Sequence, residues 1–194
     1  MSNSDTNILL TENAKKQINE IAKHYNEKGE TNIAERSKSK ILFMRNFNNW
    51  IKSILINNIM SKIRTNQNSS NTTTTTNNNN NRSLNFFRPS VLDLGCGKGG
   101  DMRKWEKAGV SRVTFADIAD VSLQECEKRY SEKHQPFKAK FVHLDATKEL
   151  LSEKLNPNND QLEHDLVSSQ FVIHYSFESF EQADTFLKVT FFRI

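Results

Sequence analysis

An α/β fold with a parallel sheet and covering helices is predicted by three features of this sequence. Short apolar runs alternate with helical ones between residues 91 and 170. The first run opens into a glycine-rich turn, and acidic residues stand where successive runs end. That alternation is the signature of β-α-β units, whose strands lie parallel because each crossover helix returns the chain to the same edge. The length of 194 residues and a hydrophobic fraction of 36% leave room for one domain with a modest core. A net charge of +4 suits an anionic partner without identifying one. Cys96 and Cys126 stand far apart, without ligand spacing, so neither a metal site nor a disulfide framework is indicated.

Along the chain, the apolar run near the start is too short for a signal peptide. No stretch reaches the length of a membrane span, so the protein is expected to be soluble and intracellular. Residues 1–30 read as an N-terminal extension and 31–194 as the domain. Within 49–64, Ile51, Ile54, Leu55, Ile59 and Ile63 recur at steps of three and four, the period of a helix with one buried stripe. The Asn/Thr tract at 66–83 has no apolar side chain to offset the entropy of ordering and is expected to be a disordered insert. Strands are expected at 91–94, 112–116, 140–144 and 165–170, with helices at 99–108, 121–131 and 147–155. A last amphipathic helix at 179–190 carries Phe180, Ala183, Phe186 and Leu187 on one side. After it only a few residues remain, and strand 4 would be an uncovered apolar edge; a truncated chain is the expectation.

The segment 91–100 reads VLDLGCGKGG. Gly95, Gly97, Gly99 and Gly100 permit positive φ and close approach of backbone N–H groups to a ligand. Taken literally, Gly95, Gly97 and Gly100 satisfy the dinucleotide fingerprint, with Asp117 as the ribose acid of a nicotinamide enzyme. Asp93 tilts the choice. A carboxylate two residues before the first glycine is poorly placed beside a pyrophosphate, yet well placed for a ligand bearing ammonium and sulfonium cations, as S-adenosylmethionine does. Asp117 closes strand 2 and suits ribose hydroxyls, although a helix cap is its plainer role and Asp120 is better spaced for that. Asp145 closes strand 3 at the same edge, where it could accept from an adenine amino group or cap the helix that follows.

The segment 91–105, VLDLGCGKGGDMRKW, resembles motif I of the class I methyltransferases. RNFNNWIKSILI at 45–56, FADIADVSLQECEKRY at 115–130, DATKELL at 145–151 and SSQFVIHYSFESFEQAD at 168–184 are together similar to the mRNA cap guanine-N7 methyltransferases. The resemblance runs from about His24 to Leu187 and is interrupted only by the Asn/Thr tract. It implies a Rossmann-like class I methyltransferase fold of seven strands, of which about four are present here, and S-adenosyl-L-methionine as cofactor. Carried over by position, it implies cofactor contacts at Lys52, Gly95, Asp117, Asp145, Gln170 and Tyr175, to which the reading above adds Asp93 and Gly97. It implies cap contacts at Asn48, Asn49, Lys98, Lys104, Arg129 and His174. Each has a plainer reading: Lys98, Lys104 and Arg129 as a solvated basic face, Asn48 and Asn49 as helix-start residues, and His174 and Tyr175 as loop aromatics. His24, His134, His143 and His164 receive structural readings only.

The implied reaction is methyl transfer to guanine N7 of the 5′ cap. That nitrogen has a free lone pair and no proton to lose, so no catalytic base and no metal are expected, only positioning. Carboxylates and ring faces near the purine would stabilise the charge that develops there. Capped RNA is the implied partner and the nucleus the implied location. The chain is expected to be monomeric and to bind no membrane, with a capping-machinery or activating subunit as a compatible companion. As it stands the chain is expected to be inactive, because the later strands would supply further cap-binding residues. Two alternatives remain open at this point: a different S-adenosylmethionine-dependent enzyme acting on a small molecule or protein, and a non-catalytic cofactor-binding fragment.

Overall fold

The computed structural model describes residues 39–71, 87–155 and 163–191, together with Glu20, Lys23 and His24. A long helix, α1 (Leu42–Asn71), precedes the sheet. There follow β1 (Ser90–Leu94), α2 (Met102–Lys107), β2 (Arg112–Asp117), α3 (Asp120–Ser131), β3 (Lys138–His143), a single-turn α4 (Leu151–Lys154) and β4 (Leu166–Ser169). A 3-10 turn (Ile173–Ser176) then leads into α5 (Phe180–Phe191). The four strands are all parallel in the order β3-β2-β1-β4. The predicted α/β class and strand count therefore hold.

Alternation along each strand builds two cores. Val91, Val113 and Phe115 point to one face, where Ile56 and Met60 of α1, Met102 and Trp105 of α2, and Leu123 and Cys126 of α3 cover them. Leu92, Leu94 and Ala116 point to the other, against Leu151 of α4 and Phe186 of α5. A parallel sheet must be covered on both faces, and these helices supply the cover. Because every strand runs the same way, the ends of β1, β2, β3 and β4 that carry Asp93, Asp117, His143 and Ser169 open on one edge. Among the described residues no helix is long and apolar enough to cross a membrane.

Several local expectations shift. Helix α1 starts seven residues before Asn49 (49 − 42) and runs to Asn71, into the Asn/Thr tract. Once a helix is nucleated each added residue gains a hydrogen bond at little further cost, so a polar sequence can extend one. The rest of the tract and nearly all of the N-terminal extension lie outside the described residues. The buried stripe of α1 is also not the one the isoleucine spacing gives. Ile56 and Met60 are buried, whereas Ile54, Leu55 and Ile59 face outward. The helix is apolar on more than one side, and only docking on Trp105 and its neighbours selects the inner face. The helix expected at 147–155 is mostly a turn: Asp145 Oδ1 accepts from the Thr147 N–H at 3.1 Å and from its hydroxyl at 2.6 Å. Such local side-chain bonds compete with helix, which begins only at Leu151.

Candidate functional site

The sheet's open edge carries a cavity lined by Gly95, Gly97, Asp117, Asp145 and Tyr175, with apolar walls from Leu94, Ala116, Ile118, Leu144, Val172 and Phe186. Open α/β sheets bind ligands at this edge, where backbone dipoles and turn N–H groups converge. The glycine turn that forms its floor is held by the Gly95 and Cys96 N–H groups, which donate to Ala116 O at 2.8 and 3.2 Å. Gly95 has φ +70° and a Cβ there would lie 2.7 Å from both methyls of Val172, so the position tolerates no side chain. Gly97, at φ +52°, has open space where its Cβ would point.

Asp117 ends β2 and turns back to the glycine turn. Its Oδ2 accepts from the Gly97 N–H at 2.6 Å and its Oδ1 from the Ala119 N–H at 2.8 Å. Burial pushes its carboxyl above the ordinary value, against the lowering effect of those two bonds. It thus braces the loop that enters α3 without capping the helix, and it lies on the cavity wall. Asp120 does not cap α3; Ala119 precedes the helix without a side-chain cap, and Asp120 accepts instead from Gln124 Nε2 at 2.7 Å. Asp145, besides organising its turn, receives Lys148 Nζ at 3.1 Å.

Asp93 and two other expected cofactor residues stand off the cavity wall. The Asp93 carboxylate is buried and accepts from Trp105 Nε1 at 2.9 Å. Burial raises its carboxyl to about 7, opposed by the Trp105 bond and by Lys52, and reinforced by Asp101 and Asp117. The carboxylate anchors the Trp105 indole. Lys52 points to Asp101, with Nζ 2.7 Å from Oδ2, and lies 5.5 Å from the centre of the Phe171 ring. Gln170 donates to Ser168 Oγ at 3.2 Å.

The basic residues expected at the cap, together with Lys52 expected at the cofactor, form two clusters, each gathered by one carboxylate. Asp101 receives Lys52 on Oδ2 and Lys104 on Oδ1, the latter at 2.8 Å, while Lys104 also reaches Asn49 Oδ1 at 3.1 Å. Glu125 receives Lys98 on Oε2 at 2.7 Å and Arg129 on Oε1. Asn48 and Asn49 sit inside α1 rather than at its start, which excludes the helix-start reading. His174 is exposed, its ring centre 4.0 Å from that of Tyr175.

Sequence reasoning missed Asp101, Glu125, Trp105 and Phe171. Glu125 and Arg129 are four apart on a helix and Asp101 and Lys104 three apart, spacings that signal ion pairs. Nothing in the sequence marks Trp105 as a partner of Asp93. Among the described residues Phe171 is the sole non-glycine with positive φ, at 64°, a conformation that costs about 1–3 kcal/mol and concentrates at functional sites.

Comparison with known proteins adds a separate line. The model of the mRNA (guanine-N(7))-methyltransferase domain matches residues 9–191. The chain is 45% identical over 177 residues to an mRNA cap guanine-N(7) methyltransferase of Drosophila melanogaster, covering 87% of this chain and 37% of that protein. It is 44% identical over 173 residues to one of Caenorhabditis briggsae, covering 87% and 40%. To one of Schizosaccharomyces pombe it is 36% identical over 167 residues, covering 86% and 40%. The chain therefore spans about two fifths of the length of the curated relatives it matches.

Proposed function

This chain belongs to the mRNA (guanine-N(7))-methyltransferase family, and on that premise we propose that it carries the donor pocket and part of the cap site of an enzyme that methylates guanine N7 of the mRNA 5′ cap. The observation that carries the reading is a glycine-floored cavity at one sheet edge with Asp117 and Asp145 on its wall, whose glycine turn carries Lys98 and leads into Asp101, each part of a cation cluster.

The cavity fits S-adenosyl-L-methionine by its chemistry. Ile118, Leu144, Val172 and Phe186 form an apolar slot suited to a purine, and the open space over Gly97 admits a ligand against the backbone. Asp117 would hold ribose hydroxyls and Asp145 the adenine amino group, while Lys52, Gln170 and Tyr175 would meet the amino-acid end. When bound, the cofactor supplies an electrophilic methyl group on a sulfonium. Asn48, Asn49, Lys98, Lys104, Arg129 and His174 would hold the cap, the cations meeting its phosphates through charge-assisted bonds. Because N7 has no proton to lose, these residues need only orient the purine and exclude water, a positional effect able to supply roughly 7 to 11 kcal/mol in well-oriented systems. Capped RNA is then the substrate, and mRNA processing in the nucleus the setting.

Incubating the purified chain, and a form extended to the length of its relatives, with GpppRNA and labelled methyl donor tests the reading. Label at guanine N7 with the extended form supports it. Label elsewhere, or on a small molecule or protein in place of the cap, sinks it.

A further inference from the structure

We infer that Glu125 is a positioning residue that holds Lys98 and Arg129 as a pre-formed two-cation clamp for the polyphosphate bridge of the substrate. The inference rests on the reading of the site given above and adds to it a residue that does not itself touch the ligand. Each carboxylate oxygen of Glu125 takes one cation: Oε2 takes Lys98 Nζ at 2.7 Å, and Oε1 takes Arg129. Arg129 Nη1 also donates to Lys98 O at 3.0 Å, so the guanidinium is fixed against the glycine turn as well as against its own helix. The carboxylate lies deeper than either cation, its side chain 13% exposed against 23% for Lys98 and 34% for Arg129. The anion thus sits beneath the two cations it bridges.

The cluster adjoins residues that line the cavity. Lys98 follows Gly97, and Glu125 lies one helical turn after Ser122; Gly97 and Ser122 both line the cavity. Two effects of removing the Glu125 charge oppose each other. The net charge rises, which favours an anion at long range. The two cations lose the carboxylate they share and repel each other more strongly, so that binding must restore their relative placement. At physiological salt the long-range gain is screened within about 8 Å, and the ordering cost remains. Loss of orientation therefore wins.

Calorimetric titration of the chain, of Glu125→Gln and of Glu125→Asp with GpppG and with S-adenosylhomocysteine decides the matter. Glu125→Gln is expected to bind GpppG about tenfold more weakly at 0.15 M salt, with a steeper salt dependence and with S-adenosylhomocysteine affinity unchanged. Glu125→Asp, which keeps the charge, is expected to recover all but about threefold. Equal or tighter GpppG binding by Glu125→Gln overturns the inference, as does an equal loss for both ligands, which would mean that Glu125 merely supports the glycine turn. Should Glu125→Gln fail to fold, parity of Glu125→Asp with the parent chain on GpppG overturns it. Absence of GpppG binding both by the parent chain and by the form extended to the length of its relatives removes the proposed function, and the inference with it.

Discussion

Asp93 and the glycines that floor the cavity show how one residue can carry opposing demands. The folded Asp93 carboxyl titrates near 7 and an unfolded one near 3.8, so between these values the folded state binds the extra proton. Its contribution to stability is complete below pH 3.8 and drains away as pH rises to about 7, at roughly 1 kcal/mol per pH unit. Asp93→Asn keeps an acceptor for Trp105 Nε1 and removes the buried charge. Thermal unfolding of this variant is expected to show a higher melting temperature than the parent at pH 8 and a flatter dependence between pH 4 and 7; a parallel profile would refute the assignment. The two glycines separate stability from binding. Gly95→Ala meets Val172 and a left-handed backbone together and is expected to destabilise the chain by about 1–3 kcal/mol or more in denaturant melts. Gly97→Ala meets open space, so its folding cost stays near the backbone penalty of about 1–2 kcal/mol. Gly97 lines the cavity, so the expected effect of its added methyl is a loss of S-adenosylhomocysteine affinity, read by calorimetry.

At the scale of the element, α1 is the part whose role depends most on its partners. It contributes Ile56 and Met60 to the core that contains Trp105, and the same face brings Lys52 to Asp101 and Asn49 to Lys104. Arg64, near its far end, donates from Nε to Phe87 O at 3.4 Å and from Nη2 to Ala108 O, tying the helix to the chain entering β1 and to the end of α2. Met60→Ala would open a cavity beneath this contact. An expected cost of about 2–5 kcal/mol in urea unfolding follows, with a parallel weakening of GpppG binding as Asn49 and Lys52 lose their register. Ile59→Ala, on the outward face, should cost far less. Equal effects of the two would show that the helix docks by its other side. The short α4 is a contrasting case, because Asp145 and Thr147 divert the chain into a turn before the helix can start. That diversion leaves the Asp145 backbone and side chain at the cavity wall.

For the whole molecule, the sheet gathers the ends of four strands onto one edge, so that residues from widely separated parts of the chain line one pocket. A ligand that binds only the folded form stabilises it by mass action. S-adenosylhomocysteine at a hundredfold excess over its dissociation constant should add about 2.7 kcal/mol and raise the melting temperature by roughly 5–10 °C. An unmoved transition would argue against the donor pocket. The order of elements, the glycine turn, the acid ending β2 and the acid just past β3 were legible in the sequence, because they rest on local rules: alternation, the need for positive φ, and the register of strand ends. The candidate cations were legible through resemblance. Their organisation was not, since a sequence pattern records residue types but not which carboxylate, Asp101 or Glu125, lies beneath which pair of cations. The buried side of α1 and the engagement of Asp93 by Trp105 were likewise decided by packing between segments distant in the chain. Local chemistry fixes what each stretch can be, whereas long-range burial selects among the faces and partners that the stretch leaves open.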